Sequence, residues 1–183
     1  MAAAKTETTK TMAGETEDTL TQTLAGNSLI KNYVVASVAA SAVPVPLFDI
    51  AAVTAIQLRM IQKLSHLYGK PFSEGVVRSI IASLGGSVVG IGVGAMAASL
   101  VKFVPVIGWA ASIMSLPLIA GASTYAIGQV FQKHYAEGGT AFDLKTEDVK
   151  AYYKEQFEKG KAMAAEAKAK AKETAKDTLD AAA

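Results

Sequence analysis

Ionisable side chains in apolar surroundings are the first places to look for chemistry in this sequence. Asp49 is the only charged residue between Asn32 and Leu58, and a carboxylate within a membrane is costly and usually functional. Its alternative role is at a helix start, where a negative charge interacts favourably with the helix dipole. His66 and His134 fall at polar ends of predicted helices without clustered ligands, so neither predicts a metal site. Asp49 is therefore the candidate functional carboxylate, with both roles open.

Catalytic motifs are absent from the sequence. It contains no phosphate-binding Gly-x4-Gly-Lys-Ser/Thr loop and no His-Glu-x-x-His pair, and Gly90, Gly92 and Gly94 lie in a helical pattern with no preceding strand. The absence of cysteine excludes disulfides, thiolate metal sites and cysteine nucleophiles. We therefore predict a nonenzymatic chain that needs no metal and no cofactor.

Glycine spacing suggests a surface for helix packing. Gly86, Gly90 and Gly94 recur every four residues in a helix predicted over residues 74–102, so they share a face that another helix can approach closely. In water each such glycine costs about 0.8–1 kcal/mol relative to alanine. In lipid the same glycines form a packing surface, and we expect copies of the chain to associate through it.

Charge is almost missing from the centre of the chain. Lys102 is the only charged residue between Ser79 and Gln132, and the runs on either side of it both exceed the roughly 20 residues that span a bilayer. The intervening turn is predicted at Pro105 and Gly108. This pattern predicts a transmembrane helical hairpin.

Two prolines divide the segment before this hairpin. Pro44 and Pro46 should end a helix over residues 28–43 and begin another over residues 46–68, because proline is unfavourable inside a helix but suited to its first turn. The first helix is short for a bilayer span. We therefore expect a re-entrant or interfacial helical pair.

The last helix is predicted to be long and highly charged. Thr146 suits its cap, and Val149, Tyr153 and Phe157 follow at four-residue spacing. This apolar face is predicted to dock a partner. The expected fold is thus all-α, with a membrane-associated hairpin, a proline-broken helical pair and a charged C-terminal helix. Its predicted divisions are a disordered threonine-rich tail (1–27), a helical membrane domain (28–136) and a charged cytoplasmic helical tail (137–183).

Short motifs over about residues 30–136 occur in a recognisable order: Pro44-x-Pro46-x-x-Asp49, Gln57-x-x-Met60-Ile61, Leu64-Ser65-x-Leu67-Tyr68-Gly69, a Gly/Ala-rich helix and Lys102-x-x-Pro105-x-x-Gly108. Taken together, they resemble the YcjF-type bacterial membrane domain of unknown function, which is often associated with Era-like GTPases. The resemblance implies a helical, membrane-associated bacterial module without a settled activity. Since this chain has no GTPase motif, a separate GTPase or another membrane protein is a candidate partner.

Charge also predicts location and partners. Lys63, Lys70 and Arg78 precede the predicted hairpin and Lys133 follows it, which places both termini in the cytoplasm at a bacterial inner or intracytoplasmic membrane. The net charge of +2 argues against binding of nucleic acid.

We predict a noncatalytic, self-associating membrane scaffold or membrane-shaping protein whose partners are the lipid bilayer and other copies of the chain. Two alternatives remain open. One is an oligomeric channel or transport component with Asp49 facing a water-filled path. The other is a soluble helical cage or filament subunit that hides its apolar runs between subunits.

Overall fold

The computed structural model describes residues 2–41, 48–86 and 107–181, and within these ranges the regular structure is entirely helical. The prediction of an all-α fold is therefore confirmed. The helices are α1 (Ala2–Ala40), α2 (Phe48–Leu67), α3 (74–86), α4 (Ile107–Ala136) and α5 (Thr146–Ala181).

Local sequence signals explain several helix ends. Gly69 has a φ of 62°, a left-handed conformation that glycine adopts without steric cost, and it ends α2 beside Pro71. The Ser73 carbonyl accepts a hydrogen bond from the Val77 amide at 3.0 Å, and α3 starts at residue 74, as predicted. Thr146 begins α5, with Glu147 and Asp148 in its first turn. These boundaries agree with the sequence prediction.

Helix α4 is the centre of the bundle and packs against α1, α2 and α5. Helix α1 runs antiparallel to it, because Val38 lies beside Gly121 whereas Thr23 lies beside Gln132. Helix α5 does the same, because Ala164 lies beside Gly121 whereas the Tyr152 ring lies 4.6 Å from Lys133 Nζ. Buried apolar side chains from all five helices form one core, including Ile30, Val34, Ile61, Leu64, Val77, Leu84, Ile127, Phe131 and Tyr153.

Close packing at glycine occurs on α4 and α5. A Cβ atom at Gly160 would lie 2.9 Å from Ala122 Cα, and one at Gly121 would lie 2.7 Å from Val38 Cγ2. At Gly86 a Cβ atom would meet nothing within 4 Å among the described residues, so none of the described helices packs closely at that position. Gly90 and Gly94 lie outside the described residues, and packing between copies remains a prediction.

The N-terminal helix is longer than predicted. Residues 1–27 were expected to be disordered, yet α1 is continuous from Ala2 to Ala40. The Gln132 side-chain nitrogen donates to the Thr23 carbonyl at 2.9 Å, and that of Gln129 donates to Asn27 Oδ1 at 3.1 Å. These tertiary contacts, together with the absence of proline from α1, explain why a helical conformation extends across the predicted boundary.

The prediction that Val149, Tyr153 and Phe157 dock a separate partner needs correction. Tyr153 and Phe157 are buried in the core, and Val149 packs against it. Their four-residue spacing does mark an apolar face, as the sequence indicated. That face is covered by this chain's own bundle and is not free for another protein.

The predicted hairpin overlaps the described structure only in part. Among the helices in the described ranges, none has the length and apolarity needed to cross a bilayer. Pro44, Pro46 and Pro105 lie outside the described residues, whereas Gly108, predicted as part of the turn, lies in the first turn of α4.

Candidate functional site

The structure brings the two uncharged stretches of the chain together at one end of the bundle. The end of α1, the first half of α2, the end of α3 and the first half of α4 meet around a common cavity. Across the described residues 41, 48–58, 79–86 and 107–132, Asp49 is the single charged residue. We call this region the neutral end.

An apolar groove of about 510 Å³ opens at the neutral end. Its volume falls within the range of roughly 300–1,000 Å³ that is typical of ligand pockets. Arg78 is the one charged residue among the described residues that line the groove. The others are Ser41, Val53, Thr54, Gln57, Ile81, Ala82, Gly85, Gly86, Leu116, Ile119, Ala120 and Ser123.

A hydrogen-bonded network of polar side chains lies at the base of this groove. The Gln57 side-chain nitrogen donates to the Thr124 hydroxyl at 3.2 Å and to the Ser123 hydroxyl at 3.3 Å. Thr124 bonds further to the Ser37 hydroxyl at 2.8 Å, and Ser123 to the Tyr153 hydroxyl at 3.2 Å. The network joins α1, α2, α4 and α5 and satisfies buried polar groups, which would be costly without partners.

Gln57 was part of a sequence motif, but its structural role was not predicted. The available signal was a glutamine with a long amide side chain in the mostly apolar first half of α2. Its partners, Ser123 and Thr124 of α4, are distant in sequence, so the motif alone could not identify them.

The opposite end of the bundle carries charge. The Lys70 ammonium donates to the Gly138 carbonyl at 2.7 Å, which links the α2–α3 turn to the loop after α4. In that loop Asp143 lies 3.3 Å from His134 Nε2. Hydrogen bonds from the Thr140 hydroxyl and amide hold the pKa of the Asp143 carboxyl well below its usual range. We call this region the charged end.

A smaller cavity of about 280 Å³ lies at the charged end, between α4, the following loop and α5. Lysine, histidine and carboxylate side chains all line it, so its lining does not select one sign of charge. No cluster of metal-binding side chains occurs among the described residues.

The predicted functional carboxylate falls at a helix start. Asp49 is the second residue of α2, a position compatible with the dipole role that the sequence left open. His66 lies in the last turn of α2, and His134 in the last turn of α4. The structure does not bring these three residues together, because the start of α2 lies at the neutral end.

The surface of α5 is strongly polar. Three ion pairs run along its exposed side: Lys159 with Glu155 at 2.7 Å, Lys161 with Glu158 at 2.7 Å and Lys170 with Glu166 at 2.8 Å. Helix α5 supplies none of the described residues that line the groove. The bundle therefore has an apolar groove lined by α1, α2, α3 and α4, and a separate charged surface on α5.

Comparisons with known proteins agree with the family resemblance. The model of the family "Domain of unknown function (DUF697)", a domain associated with YcjF-type proteins, matches residues 8–162. The chain is also 60% identical over 173 residues to "Magnetosome membrane protein 22" of Magnetospirillum gryphiswaldense (strain DSM 6361 / JCM 21280 / NBRC 15271 / MSR-1), covering 94% of this chain and 89% of that protein. No solved structure matches. The predicted resemblance is confirmed.

Proposed function

This chain belongs to the DUF697 family of domains of unknown function, and from that premise we propose that it is a noncatalytic, membrane-associated scaffold whose neutral end contacts the bilayer. The observation that carries the proposal is the meeting of two uncharged stretches, separated in sequence, around one apolar groove. Contiguous apolar surface on a protein marks contacts with other proteins, ligands or membranes.

The charge distribution favours lipid as the contact. Interfacial proteins insert an apolar face among lipid headgroups while a polar face remains in water. Here the neutral end would supply the first face, and the ion-paired surface of α5 the second. Exposed Leu116 and Ile119 lie beside the groove, where each would add apolar area to such a contact.

We propose a bacterial magnetosome membrane as the location. The name of the relative from Magnetospirillum gryphiswaldense refers to that membrane, and its 60% identity extends over 94% of this chain. A noncatalytic role is consistent with that name and with the absence of catalytic motifs from the sequence.

Self-association and a hairpin anchor are finer parts of the proposal. No described residue lies within 4 Å of where a Cβ atom would stand at Gly85 or Gly86, and glycines of this kind let a helix of a second copy approach α3 closely. A full hairpin over residues 79–132 has a structural cost, because its second arm would have to give up the core contacts of Ala126, Ile127 and Phe131. We therefore propose the neutral end, and not the whole of α4, as the membrane contact.

Membrane flotation of the full-length chain tests the proposal. Cells expressing the wild type should place it in the floating membrane fraction after a high-salt wash. The double variant Leu116→Glu/Ile119→Glu should be largely lost from that fraction, because carboxylates at apolar depth cost a few kcal/mol each. The control Phe142→Glu changes an exposed hydrophobic residue in the loop at the charged end and should float like the wild type. Wild-type protein that remains with the soluble proteins would refute the proposal.

A further inference from the structure

We propose that the groove at the neutral end binds one acyl chain of an anionic phospholipid, with Arg78 contacting its headgroup. This inference rests on the proposed membrane contact and specifies its ligand. Two features must match such a lipid: an apolar channel long enough for a chain and one cationic group near an end of it.

The channel follows α3. This helix lines the channel with Ile81, Ala82, Gly85 and Gly86. The two glycines have no side chains that could narrow the channel. Arg78 and Gly86 are about 12 Å apart along the helix axis at 1.5 Å per residue. One leaflet of a bilayer core is about 15 Å thick, half of roughly 30 Å. The groove therefore has the length scale of an acyl chain in one leaflet.

The cationic group is Arg78, the first of the α3 residues that line the groove. Its Nη2 atom lies 2.6 Å from Glu74 Oε1, and both side chains are more than half exposed, at 59% and 62%. Exposed ion pairs of this kind contribute little to stability. The guanidinium has five N–H donors, so it can bind a phosphate while it keeps, or gives up, its bond to Glu74.

Charge complementarity selects an anionic amphiphile over an uncharged one. The described lining of the groove carries Arg78 and no carboxylate, so a fatty tail would meet apolar walls while a phosphate would meet a cation. Arginine recognises phosphate through paired hydrogen bonds. A second copy of this chain could also fill an apolar groove, but the cation at its margin favours the lipid.

Photo-crosslinking in vesicles tests this proposal with the full-length chain. The probe is phosphatidylglycerol that carries a diazirine in one acyl chain, diluted in phosphatidylcholine vesicles, and the crosslinked residues are mapped by mass spectrometry. We expect crosslinks at Ile81 and Ile119. Ala82→Trp should abolish them, since Ala82 is exposed in the groove and a tryptophan there would fill it.

A matched control places the same side chain outside the groove. Ser79 is exposed on α3, does not line the groove, and its hydroxyl bonds only within its own helix, to the Gly75 carbonyl at 3.1 Å. Ser79→Trp should retain the crosslinks. Thermal unfolding of both variants establishes that each is folded.

The headgroup contact has its own pair of variants. Arg78→Gln should lower crosslinking by phosphatidylglycerol about fivefold, since one basic residue contributes about 1 kcal/mol to binding at an anionic lipid surface. Glu74→Gln removes the same ion pair but keeps the cation, and should preserve or increase crosslinking. Equal losses in both variants would contradict a headgroup contact at Arg78.

Flotation in the same samples separates the two levels of the proposal. Protein that floats with vesicles but is crosslinked evenly over its surface, or equally in Ala82→Trp, would overturn the acyl-chain site and leave the membrane role intact. Protein–protein crosslinks through Ile119 in place of lipid adducts would assign the groove to a second copy. Protein that does not float would overturn the proposed function and this site together.

Discussion

The side-chain nitrogen of Gln57 in α2 lies 3.2 Å from the Thr124 hydroxyl of α4 and donates a hydrogen bond to it across the base of the apolar groove. Both residues are buried. This bond is the centre of the network that reaches Ser37 of α1 and, through Ser123, Tyr153 of α5. Helices α1, α2, α4 and α5 are therefore held in register by polar contacts as well as by apolar packing.

The Gln57–Thr124 pair can be tested by a double-mutant cycle. Both Gln57→Met and Thr124→Val keep about the same volume. The first removes the two hydrogen bonds that the Gln57 side chain donates, and the second removes the partner of the buried Ser37 hydroxyl, so each should lower the free energy of unfolding by about 1–3 kcal/mol. The two losses should be less than additive by about 1 kcal/mol if the residues act as a pair. Chemical denaturation of the four proteins measures the coupling, and strict additivity would show that the bond contributes nothing.

Two glycines should respond in opposite directions to the same substitution. Gly160→Ala would place a Cβ atom 2.9 Å from both the Ala122 Cα and its carbonyl oxygen, so α4 and α5 must separate, at a cost of about 1–3 kcal/mol. Gly85→Ala meets nothing within 4 Å and should stabilise α3 by up to about 1 kcal/mol because alanine favours helix. Thermal unfolding compares them, and an unchanged Gly160→Ala protein would contradict the close approach.

The C-terminal helix should divide into a structural part and a dispensable part. Since Tyr153 and Phe157 are buried in the core, removal of Val149–Ala183 should unfold the bundle, as loss of one large aromatic side chain alone costs about 3–5 kcal/mol. Among the residues of α5 whose burial is described, the last buried one is Ala167. Removal of residues 174–183 should therefore preserve a cooperative unfolding transition. Circular dichroism of the two truncated proteins distinguishes these outcomes.

Alkaline conditions should weaken the bundle through Tyr135. Burial raises the pKa of its hydroxyl, an effect partly opposed by the hydrogen bond to Ser65 at 3.1 Å. Because the folded-state pKa lies above the unfolded value of about 10, the stabilisation is fully present below about pH 10 and is lost as the pH rises through the folded-state pKa. Tyr135→Phe keeps the aromatic packing but cannot ionise.

The check is the free energy of unfolding of wild type and Tyr135→Phe from neutral to strongly alkaline pH. The variant should lose less stability over that range, whereas parallel curves would contradict the account. Burial also raises the pKa of Tyr153, so some alkaline sensitivity should persist in the variant. A high-salt wash is accordingly a better treatment than alkaline extraction for testing membrane association of the folded chain.

Local signals in the sequence predicted most helix boundaries but not what the helices contact. Gly69, Ser73 and Thr146 act through neighbouring residues, so their turns and caps could be recognised directly. The apolar spacing of Tyr153 and Phe157 identified a buried face, yet a single sequence does not distinguish burial against α4 from burial against another protein. Spacing likewise pointed to Gly86, while the close contacts occur at Gly121 and Gly160.

The groove could not be predicted for a related reason. Arg78 belongs to a polar turn at the start of α3 in sequence, and only the fold brings it beside Leu116 and Ile119 of α4. The low charge of both stretches was evident from the sequence. This low charge led to a prediction of bilayer spans, because hydropathy does not show whether an apolar helix faces lipid or other helices. Here α1 and α5 cover half of α4.

Site-specific fluorescence provides the most direct test that the neutral end contacts the bilayer. The chain has no cysteine, so single cysteines at Leu116 and Phe142 can carry an environment-sensitive dye at opposite ends of the bundle. Both positions are exposed hydrophobic residues, at 44% and 61%. With anionic phospholipid vesicles, we predict a blue shift and quenching by brominated acyl chains at position 116 and neither at position 142. Equal responses at both positions, or a response only at position 142, would contradict the proposed membrane contact.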